Sequence, residues 1–169
     1  MNHIFQCIRD NIGSEHCSQS CSRDGCRVEL EGTPSSRVIA DADCASLDIF
    51  FPGRRCDFIL FFQDSDGTVV VVPLELKYGR PEANIAAEQL QAGACFAERM
   101  IPEPCCPVCR PILVHGGNLH PVQRKALNRA KILFRGARLT IQTAKCGQPG
   151  NLAQALSDKR VQAQDRRKR

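Results

Sequence analysis

The chain contains no tryptophan and a single tyrosine, Tyr78, and aromatic residues make up 5% of its 169 positions. A surface that stacks single-stranded bases needs more aromatic faces than this, so any nucleic acid would be held mainly through its backbone. No apolar run approaches the ~18 to 20 residues that a membrane span requires. The opening MNHIFQCIRDN also lacks the apolar core of a secretory signal. These absences point to a soluble, cytoplasmic protein with no membrane partner. Acidic residues are missing altogether from positions 104–157, where eight basic residues stand. The eleven cysteines stay below the ~8–10% that marks a disulfide scaffold. In a reducing compartment they read as thiols or metal ligands rather than bridges.

The missing acids expose a charge split that the net value of +5 hides. Residues 1–103 sum to −7, residues 104–157 to +8 and the last twelve residues to +4. An acidic half suits a bound metal ion, and a basic half suits a polyanion lying along it. The length fits one domain, residues 1–157, with a basic and disordered tail at 158–169.

Residues 2–12 predict a short helix, with Ile4, Phe5, Ile8 and Ile12 on one side. Residues 14–26 are rich in Ser and Cys and read as loop. Arg37 to Asp41 reads as a strand, followed by a turn-prone stretch from Asp43 to Gly53. Arg55–Gln63 and Thr68–Lys77 are the strongest strands, apolar on both faces as central strands are. Pro73 cannot donate to a ladder, which predicts a bulge or a locally unpaired stretch just before Glu75. Pro81 opens a helix from Glu82 to about Met100, and a strand follows at Arg110–His115. Pro121 to about Phe134 reads as helix, Arg138–Thr143 as a last strand, and 151–157 as a short helix. The order α-β-β-β-α-β-α-β gives an α/β fold with a mixed central sheet flanked by helices.

The turn Asp64-Ser65-Asp66-Gly67 folds the two strong strands into a hairpin. A loop of two, three or four residues places Asp57 opposite Leu76, Glu75 or Leu74, so Asp57 and Glu75 stay within one position of each other. Glu75 and Lys77 lie two apart and share a face. Two carboxylates so close repel unless a cation or a proton lies between them. Mg²⁺ takes one or two carboxylates, keeps waters and binds phosphate. Asp57, Glu75 and the Leu76 backbone carbonyl form such a ligand set, with Lys77 placed to orient a water or stabilise developing charge.

Asp57, seventeen intervening residues and then Glu75-Leu76-Lys77 resemble the PD-(D/E)xK, or restriction-endonuclease-like, nuclease superfamily. Its αβββαβ core matches the predicted order over roughly residues 37–115, leaving an extra C-terminal helix and strand. The resemblance implies a metal-dependent nuclease that hydrolyses DNA phosphodiesters with Mg²⁺ or Mn²⁺, with RNA as the alternative substrate. It implies that Asp57 and Glu75 bind the metal and that Lys77 assists the attack. Many members carry a Gln on the following helix, for which Gln89 is the better match and Gln91 the alternative. Many also dimerise, so a homodimer is an open arrangement. Cys56 stands where the name-giving Pro would be. Glu15 lies beyond the first predicted helix and does not take the role of that helix's usual Glu. Asp41 or Asp43 is a candidate further acidic ligand. A module of the same fold that binds nucleic acid without cutting is the runner-up, and a zinc-stabilised interaction protein is the third reading.

The helix from Pro121 carries an expected apolar stripe of Val122, Ala126, Ala130 and Leu133. Arg124, Lys125, Lys131, Arg135 and Arg138 are its candidate phosphate contacts, with a solvated helix face as the plain alternative. Cys17, Cys21 and Cys26 form one cluster and Cys105, Cys106 and Cys109 another. Four of the six would make a structural zinc site, with an iron–sulfur cluster second and free thiols the plain alternative. His16 is a substitute ligand. Cys7, Cys44, Cys56, Cys95 and Cys146 read as small core residues. His115, at a strand end, is a candidate neighbour of the acidic site.

Overall fold

FILFFQ and VVVVPLELK form adjacent antiparallel strands that are buried on both faces, as their unbroken β-branched and aromatic content dictates. The computed structural model describes residues 3–44 and 53–157; the predicted tail at 158–169 and most of the turn-prone 43–53 stretch lie outside the described residues. The first helix, α1, runs His3–Ile12 and buries Phe5, Ile8 and Ile12, as its spacing predicts. Two short strands follow, β1 (Cys21–Arg23) and β2 (Cys26–Val28). The second half of the expected loop at 14–26 is therefore a hairpin, turned at Asp24-Gly25, where both residues have positive φ; a short 3-10 turn, Ser14–His16, precedes it. Asp-Gly suits this turn because both positions tolerate the left-handed region.

The main sheet contains β3 (Arg37–Asp41), β4 (Phe58–Gln63), β5 (Val69–Lys77), β6 (Val108–Cys109) and β7 (Ile112–His115). Its remaining strand, β10 (Gln142–Lys145), is reached after two strands of another sheet. In the order β10-β7-β5-β4-β3, the β3–β4 and β4–β5 pairs are antiparallel and the β5–β7 and β7–β10 pairs parallel. Helix α2 (Ala83–Met100) is the crossover between β5 and the parallel strands. Glu82 is its N-cap, so Pro81 stands just outside the helix rather than in its first turn.

Pro73 pairs with Ile59 in an unbroken β4–β5 register, so that edge has no bulge. The interruption lies on the opposite edge. There β6 pairs with Val70 and Val71, β7 resumes at Leu74, and Val72-Pro73 has no registered partner between them. Proline lacks the N–H that a continuous parallel ladder would use at this point.

The C-terminal part departs most from the sequence reading. Helix α3 covers only Pro121–Arg129. Residues predicted to extend it instead form β8 (Lys131–Phe134), which pairs with β9 (Ala137–Thr140) across Arg135-Gly136. The expected strand 138–143 is accordingly split between β9 and β10. Ile132 and Phe134 are buried while Lys131 and Leu133 are exposed, the period-two alternation of a strand. Val122 and Leu133 of the predicted stripe face solvent, and Leu127 is the buried residue of α3. Helix α4 (Asn151–Ser157) closes the described chain.

The sheet separates two apolar layers. One holds α1, α2, Leu127 and the inner side of β8 against Ile59, Phe61, Val71 and Leu113. The other holds the β1–β2 hairpin and α4 against Phe58, Leu60, Val72, Leu74 and Leu76. Each fully buried large side chain contributes ~1.5–3 kcal/mol, so this sandwiching fixes the sheet as the rigid support for what lies at its ends.

Candidate metal and phosphate site

The end of the β4–β5 ladder is closed by a side chain. Phe58 pairs with Leu74 as the last registered pair. One step beyond, the Asp57 N–H donates to Leu74 O at 3.1 Å, and Asp57 Oδ2 accepts the Leu76 N–H at 2.7 Å. The carboxylate thus stands where a backbone carbonyl would continue the ladder, beside Glu75. Alternation along β5 places Glu75 and Lys77 on the α2 side of the sheet.

Glu75 is fully buried. Lys77 Nζ lies 2.6 Å from its Oε1, a close ion pair. Burial, followed by the Asp57 charge, pushes the Glu75 pKa up to about 7, against the pull of Lys77. Burial also raises the pKa of Asp57, while the Leu76 N–H, Lys77 and Arg23 hold it down. For Lys77, burial opposes the ammonium, but the contact with Glu75 and the charges of Glu75 and Asp57 outweigh it and raise the pKa. The site is therefore short of positive charge: two carboxylates share one ammonium and a more distant guanidinium.

That guanidinium belongs to Arg23, which the sequence reading missed. Carried on β1, it lies 2.7 Å from Asp41, 3.7 Å from Asp57 and 3.9 Å from Asp43, and it stacks over the Phe58 ring at 5.2 Å. The 3.7 Å contact is an ion pair too long for a hydrogen bond. Asp41 and Asp43 are thus drawn toward Asp57 through Arg23, and Arg55 holds Asp43 at 3.2 Å. Glu15 instead faces His16 at 3.5 Å.

The two glutamines separate cleanly. Gln89 donates from Nε2 to Arg55 O at 3.0 Å, two residues before Asp57, and its buried Oε1 has no partner among the described residues. Gln91 bonds both N and O of Leu133 and ties α2 to β8, so its role is structural. Cys56, in the position of the missing Pro, is buried under α2. Burial and then the charges of Glu75 and Asp57 push its pKa well up, so it remains a thiol. An added Cβ at Gly93 of α2 would run into Cys56 Sγ, which makes Gly93 the residue that lets the helix approach the Asp57 segment.

The six cysteines proposed as metal ligands are not assembled. Cys21 and Cys26 lie in the layer under the β1–β2 hairpin, whereas Cys17, Cys105 and Cys109 lie against the opposite face of the sheet. Cys26 is disulfide-bonded to Cys146, which corrects both the zinc assignment of Cys26 and the reading of Cys146 as a free core thiol. Cys106 and Cys95 are exposed, so Cys95 is not a core residue either. Among the described residues, no group of three or more His, Cys, Asp or Glu is arranged to hold a metal ion. No described helix is long and apolar enough to cross a membrane.

His115 and the basic residues meet in a second place. His115 is the register partner of Lys77 on one side and of Lys145 on the other. Its Nδ1 lies 2.6 Å from Gly117 O, so this nitrogen carries the proton and Nε2 the lone pair. Burial lowers its pKa, and Lys145 and Arg124 lower it further, so the ring is neutral at pH 7. A cleft of about 830 Å³ opens beside it between α3, β10 and α4, lined among others by Arg124, Lys131 and Lys145. Lys125, Arg135 and Arg138 of the predicted basic face do not line it. Arg135 is engaged by Cys105 O and Glu98, which fastens the β8–β9 turn to the loop after α2. Comparison with protein-family models, with curated proteins and with solved structures finds no match to this chain.

Proposed function

We propose that the protein is a metal-dependent nuclease, with a restriction-endonuclease-like core over residues 37–115 and Asp57, Glu75, Lys77 and Gln89 as its active-site residues. The observation that carries this reading is the buried Glu75 carboxylate. It lies beside a second carboxylate, with the single Lys77 ammonium in direct contact at 2.6 Å from Oε1. Burying a carboxylate in this state is costly unless a cation or a proton compensates it. Two carboxylates and a backbone carbonyl, here Asp57, Glu75 and Leu76, are what Mg²⁺ or Mn²⁺ accepts while keeping waters for the rest of its shell. Such an ion, when bound, polarises phosphate and makes a bound water more acidic. Lys77 neutralises charge at the Glu75 side and is placed to stabilise negative charge on a phosphate oxygen. The Leu76 N–H fixes the orientation of Asp57, and Gln89 holds the backbone that leads into it. DNA is the proposed substrate, with RNA the alternative.

One observation favours the runner-up, a module that binds nucleic acid without cutting. Arg23 lies among Asp41, Asp43 and Asp57 and supplies in part the positive charge that a metal would bring. A single assay separates the two readings. Plasmid, single-stranded DNA and RNA are incubated with the protein in Mg²⁺, Mn²⁺ or EDTA, beside Asp57→Ala and Lys77→Ala. Metal-dependent cleavage lost in both variants supports the nuclease. Cleavage that survives both sinks the site, and binding without cleavage of any substrate establishes the module.

A further inference from the structure

Several positive charges outside the cleft are paired with carboxylates, and among the described residues those lining it are not. On the acidic half, Arg23, Arg27, Arg54 and Arg55 each sit within 4 Å of a described carboxylate. In the cleft, Arg124, Lys131 and Lys145 have no carboxylate partner among the described residues, and no acid occurs anywhere in positions 104–157. The Lys145 ammonium is steadied only by neutral acceptors, Gly117 O at 2.8 Å and Asn118 Oδ1 at 3.3 Å. Three uncompensated cations around one concavity repel one another and attract a polyanion.

The cleft is also linked to the carboxylate site through the sheet. Lys77, His115 and Lys145 are register partners across the parallel strands β5, β7 and β10. Paired side chains on neighbouring strands point the same way, and strands lie ~4.8 Å apart. The three therefore form a row across the sheet that leads from Glu75 and Lys77 to the cleft mouth. On the opposite face of β10, Gln142 also borders the cleft, with a buried amide whose Nε2 and Oε1 are both unpartnered among the described residues.

We propose that this cleft is the track for the substrate strand: a polynucleotide backbone whose phosphates pass from Lys77 across His115 and Lys145 to Arg124 and Lys131. The proposal rests on the nuclease reading for its direction, since the track begins at the cutting site. Neutral His115 adds no charge: its Nδ1–H is taken by Gly117 O and its Nε2 only accepts, so it meets a hydroxyl or base N–H of the strand rather than a phosphate.

The test is binding of a fluorescently labelled single-stranded oligonucleotide, and of its duplex, in EDTA across 50–200 mM salt. Each lost phosphate contact lowers the slope of log K against log salt by ~0.7 on a single strand and ~0.9 on a duplex. The triple variant R124Q/K131Q/K145Q is expected to lose a slope of about 2 and to bind at least tenfold more weakly at 50 mM salt. R99Q/R129Q, which removes two exposed charges outside the cleft, is expected to stay within twofold of the unaltered protein. Unchanged melting temperatures show that these surface variants fold. No binding by the unaltered protein, an unchanged slope in the triple variant, or an equal loss in the control would each overturn the track. Cleavage is scored separately with Asp57→Asn. A slope loss without any cleavage leaves the groove and removes the nuclease; Asp57-dependent cleavage at unchanged KM in the triple variant leaves the nuclease and removes the track.

Discussion

Asp57 Oδ2 accepts the backbone N–H of Leu76 at 2.7 Å, so one oxygen of a candidate metal ligand also terminates the central hairpin. The two duties separate by substitution. Asp57→Asn keeps an oxygen acceptor for Leu76 but removes the charge. Asp57→Ala leaves the N–H without its partner, which costs ~1–3 kcal/mol when a donor is buried. Both variants are expected to lose at least a hundredfold in cleavage, and only Asp57→Ala is expected to lose that stability. Equal urea midpoints for the two would show that the hydrogen bond does not hold the hairpin end.

Glu75 gives the protein a definite pH signature. Its pKa rises from 4.5 in the unfolded chain to about 7 in the fold. Between these values the folded state keeps a proton that the unfolded state has released, so stability falls as pH rises through that window. The loss reaches roughly 3 kcal/mol above it. Glu75→Gln cannot titrate. The stability difference between this variant and the unaltered protein is therefore expected to shift in the variant's favour by up to that amount from pH 4.5 to pH 8. Urea unfolding at a series of pH values reads it, and a flat difference refutes the raised pKa. By the same logic Mg²⁺ competes with that proton, so its stabilising effect on melting temperature is expected to be larger at pH 8 than at pH 6.

Gly93 tests how closely α2 must approach the site. Gly93→Ala places a methyl group against Cys56 Sγ and tight against Pro73 Cβ. Overpacking of this kind costs ~1–3 kcal/mol. Adding Cys56→Ala removes the first clash but not the second, so the double variant is expected to recover part of the loss, a coupling that a double-mutant cycle measures. Additive losses would mean that the helix shifts instead of pressing on Cys56.

The central hairpin was legible in the sequence because three signals agreed there: apolar runs, a Gly-containing turn and carboxylates at matching ends. The observed register puts Asp57 one step past the Phe58–Leu74 pair, the three-residue-loop solution. The β8–β9 hairpin was hidden because Ala126, Ala130 and Leu133 also fit a helical stripe. The deciding feature was local, a two-residue Arg135-Gly136 turn with positive φ at both positions. Arg23 was illegible for a different reason. Its strand is three residues long and holds its place through tertiary contacts with Asp41 and Phe58, which no local pattern announces. The cleft was half-read. Arg124 and Lys131 share one side of a helical wheel, but Lys145 joins them only because β10 pairs in parallel with β7.

The Cys26–Cys146 bridge joins the β1–β2 hairpin, which carries Arg23, to the chain just after β10, which carries Lys145. It closes a loop across 120 residues of sequence. Cross-links over long loops restrict the unfolded chain most, and such a bridge typically contributes ~2–4 kcal/mol. The denatured, unreduced protein is expected to show nine reactive thiols, the number of free cysteines, and eleven after reduction. Reduction is expected to lower stability by that amount and to loosen the hairpin first, because its two strands are only three residues each. Once the hairpin moves, Arg23 leaves Asp41 and Asp57, and the carboxylate site loses its second positive charge. Mg²⁺ affinity, read by titration calorimetry, is therefore expected to rise on reduction while the urea midpoint falls. Eleven reactive thiols before reduction would remove the bridge, and a fall in both quantities together would show that Arg23 supports the metal site rather than competing for it.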